Sequence, residues 1–140
     1  MTNLTARRRD PSRRGASTVE FAIVAPILFT VVLGIIEVGR GLMAIHLLNN
    51  AARAGCRVGV IEGKSTSDIN TAVTNLLTAQ GISSEGVTVE VNDGSADAST
   101  AQAGDEITVI VSVPVSKVSW VPGTSYLQGS LSGQYTLRRE

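Results

Sequence analysis

Sixteen consecutive residues without a charge, Phe21 to Ile36, stand directly behind a glutamate, Glu20, and an arginine-rich leader that ends at Gly15. As a helix the run is about 24 Å long, and about 31 Å if it starts at Ala16. That matches the roughly 30 Å hydrocarbon core of a bilayer. The extension puts Glu20 inside or at the edge of the membrane, where a charge is costly and usually has a function. Pro26, Thr30 and Gly34 punctuate the run. Proline removes one backbone hydrogen bond and bends a helix. Small residues in a span often mark the close approach of another helix. The segment therefore reads as an ordinary single-pass anchor or, more sharply, as a helix that packs against copies of itself or its relatives. Pro26 and Gly34 would supply the kink and the packing surface.

Charge gives the orientation. The formal net charge is zero, but residues 1–15 hold five arginines, Arg13 and Arg14 among them, against Asp10 alone. The rest of the chain carries seven basic and eleven acidic side chains, a net −4. The positive-inside rule places the leader in the cytoplasm and the C-terminal part on the other side. A basic leader on a mildly acidic body argues against nucleic-acid binding, which needs a basic face on the folded part. A secretory signal peptide would share the basic start and the apolar run. No convincing small-x-small site follows Ile36, however, and Glu37-Val38-Gly39-Arg40 puts charges at the exit.

Cleavage before the run fits better. Gly15, with Glu20 at the fifth position after it, resembles the class III leader of type IV prepilins. The wider run from Arg14-Gly15-Ala16-Ser17-Thr18-Val19-Glu20-Phe21 through Pro26 to Gly34-Ile35-Ile36-Glu37-Val38-Gly39-Arg40, with Asn50-Ala51-Ala52-Arg53-Ala54-Gly55-Cys56-Arg57 behind it, resembles the TadE family. Its members are pilin-like (pseudopilin) proteins of the tight-adherence pilus system. The resemblance covers about residues 13–60. The short major pilin of that system has a tyrosine after the glutamate, whereas here Phe21 follows Glu20 and a long C-terminal part follows the helix. That points to the minor branch.

The resemblance implies a cut by a prepilin peptidase after Gly15, which leaves a new α-amine on Ala16. It also implies that Glu20 pairs with the amine of a neighbouring subunit and sets axial register. An ion pair offsets much of the cost of a carboxylate in low dielectric. The plainer alternative is a solvated acid at the positive end of a helix. The implied partners are the peptidase, other pilin-like subunits, the inner-membrane assembly platform and membrane lipid. No small-molecule substrate and no cofactor are implied. The implied location is a bacterial inner membrane, with the C-terminal domain in the periplasm or outside the cell and a possible place in the pilus. A second reading is an anchor that is never cut, holding a periplasmic binding domain for an envelope ligand.

The helical pattern continues past the membrane. Ile45, Leu48, Ala52, Gly55 and Gly59 recur at steps of three or four, and His46, Asn50, Arg53 and Arg57 lie on another, polar face. This is an amphipathic helix. The expected organisation is a cleaved leader at 1–15, one long helix at 16–61 with its membrane part at about 17–38, and an α+β domain at 62–140. Gly39 and Gly41 admit a break at the membrane exit. Gly55 and Gly59 suit tight seating on a sheet, and Cys56 suits a small packing position.

In the C-terminal part, Ser65-Thr66-Ser67-Asp68 signals a helix start, Ile69, Ala72, Val73, Leu76 and Leu77 form a stripe, and Gly81 signals a stop. Three strands follow by strict alternation, on Val87–Val91, Ile107–Val115 and Leu131–Leu137. The fold class is α+β: a long helix and a short one on a small antiparallel sheet of about three strands. Asp93–Asp105 is long for a hairpin connection, which suggests a mobile loop or a partner surface. Its aspartates lack the spacing of an EF-hand calcium loop. Trp120-Val121-Pro122-Gly123 and Tyr126 suggest a cap on the sheet or an exposed patch. Gly59–Ser65 has one residue too few between its glycines for a phosphate loop. The single cysteine excludes an intrachain disulfide and a cysteine-based zinc site, and one histidine, His46, leaves little for acid–base or metal chemistry. No catalytic or metal-ligating set is expected, and the chain does not read as an enzyme.

Overall fold

The computed structural model describes the backbone of residues 11–82, 86–119 and 129–140, with side chains from Gly15 onward. The elements are α1 (Pro11–Gly59), α2 (Thr66–Ala79), β1 (Gly86–Val91), a 3-10 turn at Ala98–Thr100, β2 (Glu106–Pro114), the short α3 (Val115–Val118) and β3 (Ser130–Arg138). This is the expected α+β architecture. The chain divides into two units, Met1–Ile36 and Glu37–Glu140.

In the first unit, residues 15–36 are helical and exposed, with Ala25 alone partly covered. Phe21 is 71% exposed and Ile35 68%. The Thr30 hydroxyl donates to the Pro26 carbonyl at 2.8 Å. That bond satisfies a polar group that hydrocarbon would leave without a partner.

The second unit builds its own core. Its stretch of α1 stays helical through Gly39 and Gly41, so the break that those glycines admit is not present. Ala44, Leu48, Ala51, Ala52 and Cys56 are buried, while His46, Asn50, Arg53 and Arg57 are exposed as the periodicity predicts. The sheet has the order β1-β2-β3 and is antiparallel throughout. Val89 pairs with Val109, and Val109 with Tyr135. Ile107, Val109, Val111 and Val113 all reach zero exposure on the central strand. They meet Ile69, Val73 and Leu77 of α2 and the small side chains of α1 in one cluster.

Small residues decide how closely α1 sits. A Cβ on Gly55 would lie 2.8 Å from Val73 Cγ2, and one on Gly59 2.8 Å from Ile69 Cδ1. Gly133 is tighter still: a Cβ there would lie 2.5 Å from the Asn49 nitrogen and 2.6 Å from the Leu48 carbonyl carbon. Asn49 completes this crossing, its Oδ1 accepting from the Gln134 N–H at 3.2 Å. The Cys56 thiol donates to the Tyr135 carbonyl at 3.0 Å. Burial pushes the thiol up to about 11, with the Val109 backbone pulling weakly the other way. Arg53 lies over the Tyr135 ring at 4.7 Å, a cation–π contact at the edge of the core.

Local signals place the elements. Ser65 and Asp68 form a full capping box on α2, and Gly81 takes φ +74 just past its end, as a left-handed stop requires. Asn92 and Asp93 both take positive φ and turn the chain so that Val91 and Gly94 exchange backbone hydrogen bonds. Both residue types tolerate that conformation.

The 93–105 connection departs from the expectation of a mobile loop. Ala98 is fully buried, and its N–H donates to Thr66 Oγ1 at 3.0 Å. Asn92 Nδ2 donates to Asp105 Oδ1 at 2.8 Å. Arg139, only 4% exposed, donates to the carbonyls of Ala98, Ala101 and Ile61. One guanidinium thereby ties the connection to the segment after α1. The second strand also ends one residue earlier than expected, at Pro114, where α3 begins. Pro114 takes φ −60 and precedes the turn of helix. Trp120–Gly123 and Tyr126 lie outside the described residues.

Candidate functional site

The residues singled out for assembly fall on the first stretch of α1. Gly15, Ala16 and Glu20 are helical and exposed. Arg13 and Arg14 are helical in backbone, and their side chains lie outside the described set. Ala16 and Glu20 are four apart, so they share one face one turn from each other. Side chains tilt toward the helix N-terminus, which aims the Glu20 carboxylate back toward the end that a cut after Gly15 would expose. Among the described residues Glu20 has no ion-pair partner; the pair found there is Lys64–Asp68.

Further along, Pro26 interrupts the hydrogen-bond ladder and Gly34 leaves a gap in the side-chain surface. A methyl group placed on Gly34 meets nothing within 4 Å. The stretch is apolar all round rather than along one stripe. A helix of that kind belongs in a membrane or among other helices. The structure thus brings Ala16 and Glu20 to one face, and leaves Pro26 and Gly34 as features of a surface this chain does not cover.

The second unit offers little chemistry. His46 is exposed on the polar face of α1. No group of three His, Cys, Asp or Glu side chains able to hold a metal occurs among the described residues. A cavity of about 350 Å³ beside Arg139 and Glu62 has its guanidinium already committed to three carbonyls. Sequence reasoning missed Arg139, Asn49 and Gly133. Their roles depend on partners at least thirty-eight residues away in the chain. The available hint was the glycine at an inward position of an alternating strand.

These features define a class: an α+β protein with one helix long and apolar enough to cross a membrane, its apolar window entirely unburied. Residues 15–57 match the family model described as TadE-like protein, so that segment is similar to that family. The match opens on Gly15, holds Glu20, Pro26 and Gly34, and ends at Arg57. No curated protein and no solved structure matches the chain. The TadE-like match and the unburied apolar helix fit a pilus-associated membrane protein.

Proposed function

We propose that this chain is a minor, pilin-like subunit of a tight-adherence pilus assembly machine and acts in pilus biogenesis and adherence. The supporting observation is the coincidence of the TadE-like match with a helix whose apolar surface its own chain leaves bare from Val19 to Val38. The leader is inserted with its arginines in the cytoplasm, and a prepilin peptidase cuts between Gly15 and Ala16. The helix stays in the inner membrane, the second unit lies in the periplasm, and the protein performs no catalysis of its own. Glu20 pairs with the new α-amine of a neighbouring subunit. Pro26 and Gly34 shape the surface on which other pilin-like subunits and the assembly platform pack.

Replacing Gly15 tests the reading. In the native host, Gly15→Arg should leave the leader uncut on an immunoblot and abolish function in piliation. A cut and functional Gly15→Arg protein would refute prepilin processing and favour a plain anchor. Glu20→Ala should still be cut but should assemble poorly. Normal piliation with that variant would remove the register role.

A further inference from the structure

The second unit keeps opposite charges on opposite faces. Residues 41–61 hold Arg53, Arg57 and His46 and no acidic side chain, and all three are exposed on the side of α1 turned away from the core. Residues 90–106 hold five acidic side chains and no basic one. Glu90 and Glu106 adjoin Val89 and Ile107, which are buried in the cluster with the helices. Side chains alternate along a strand, so both carboxylates stand on the far face of the sheet. Glu90 pairs with Thr108, two residues from Glu106, which makes the two acids diagonal neighbours about 7–8 Å apart. Asp93 is exposed in the turn beyond them. Arg138, opposite Glu106 on β3, donates its Nε–H to the Gly104 carbonyl at 2.8 Å. Among the described residues, none of Arg53, Arg57, Glu90, Asp93 and Glu106 forms an ion pair. Arg53 lies over the Tyr135 ring, a contact that orients the guanidinium without neutralising it.

The two faces match in spacing as well as in sign. Arg53 and Arg57 are four residues apart, about 6 Å along one side of the helix, close to the separation of Glu90 and Glu106. We propose that the outward face of α1 docks a second copy of this chain, with Arg53 and Arg57 set against Glu90 and Glu106 of that copy. The two surfaces lie on opposite faces of the unit, so two copies cannot make both contacts in one closed pair. The interface is heterologous, and each copy leaves one face open for the next. The contact lies wholly within the second unit and does not depend on whether the leader is cut.

The test is sedimentation velocity of the detergent-solubilised full chain at about 50 mM and about 500 mM salt, where exposed charges are weakly and strongly screened. The wild-type chain should associate at low salt and separate at high salt. Arg57→Glu, at an exposed position, should weaken association about fivefold, the effect of one exposed charge pair. Arg53→Glu with Arg57→Glu should abolish it, and so should Glu90→Lys with Glu106→Lys. An equimolar mixture of the two double variants should associate again at low salt, because each then offers the other a face of opposite sign. That rescue separates lost charge from lost fold, since a misfolded variant gains nothing from the mixture. Absence of association in the wild-type chain, or a mixture that stays dissociated, would overturn the proposal. So would association that survives both double variants, which would belong to the apolar helix or to the leader arginines. A native chain that keeps its leader would refute prepilin processing and leave this contact standing.

Discussion

The two stretches of α1 use glycine for opposite ends. On Gly34, Gly39 and Gly41 an added methyl group meets nothing within 4 Å, whereas on Gly55 and Gly59 it meets side chains of α2 and the sheet. The same contrast runs through the large side chains. Phe21, Phe29 and Ile35 are each at least 66% exposed, while Leu48 has no exposure at all. Continuous helix therefore does not mean continuous environment. Residues 44–59 are packed against their own chain, whereas residues 15–36 are covered by almost nothing among the described residues. Burial of apolar area drives folding at about 25 cal/mol per Å²; on the proposed function, the first stretch gains its burial in lipid and against other helices.

Substitutions that exchange the two glycine environments sharpen this contrast. Gly133→Ala drives a methyl group into the backbone of α1, which cannot rotate away, and should cost about 3 kcal/mol in denaturant unfolding of the detergent-solubilised chain. An unchanged midpoint would show that the crossing of β3 and α1 is looser than described. Arg139→Met comes next. It strips the donors from three carbonyls and should cost about 2 kcal/mol, with faster amide exchange at Ala98–Ala101 as its local signature. Gly34→Ala should run the other way: no loss of stability in the second unit and up to about 1 kcal/mol of added helix preference. Any defect it causes should appear in assembly alone.

The smallest effect is electrostatic. Asp68, Asp97 and Asp105 are each held below the ordinary 3.8: Asp68 by the Ser65 N–H and hydroxyl, Asp97 by Ser99, and Asp105 by the Gln102 N–H and then the Asn92 amide. A carboxylate more acidic when folded adds stability that is complete above its unfolded value and is lost as pH falls through the folded one. Melting temperatures should therefore be flat from neutral pH down to about 5 and fall below about pH 4. Asp68→Asn and Asp105→Asn should reduce that fall. A fall that begins near pH 6 would point to other groups.

Much of this was legible in the sequence because its signals are local. Alternation gave the strands: Val87, Val89 and Val91 share a face, and so do Ile107 to Val113. The Ser65–Asp68 capping box and Gly81 bound α2 as expected. The apolar run and the polar face at His46, Asn50, Arg53 and Arg57 gave the two characters of α1. What escaped depends on distant partners. Arg139 looks like any charged residue near a chain end, yet it is buried on carbonyls from residues 61, 98 and 101. That clasp turns the 93–105 connection, with its loop-like composition, into a fixed part of the unit. At the assembly segment the sequence supplied Gly15, Ala16 and Glu20 and their shared helix face. On the proposed function, the partner of Glu20 belongs to another chain.

The contrast rests on the apolar stretch being kept in the membrane after its leader is removed. The most direct test is the intact mass and N-terminal residue of the protein extracted from membranes of its native host. The account predicts a membrane-bound chain that begins at Ala16. A chain with residues 1–15 intact would contradict prepilin processing. A soluble chain that begins beyond Ile36 would contradict the membrane role of the helix itself.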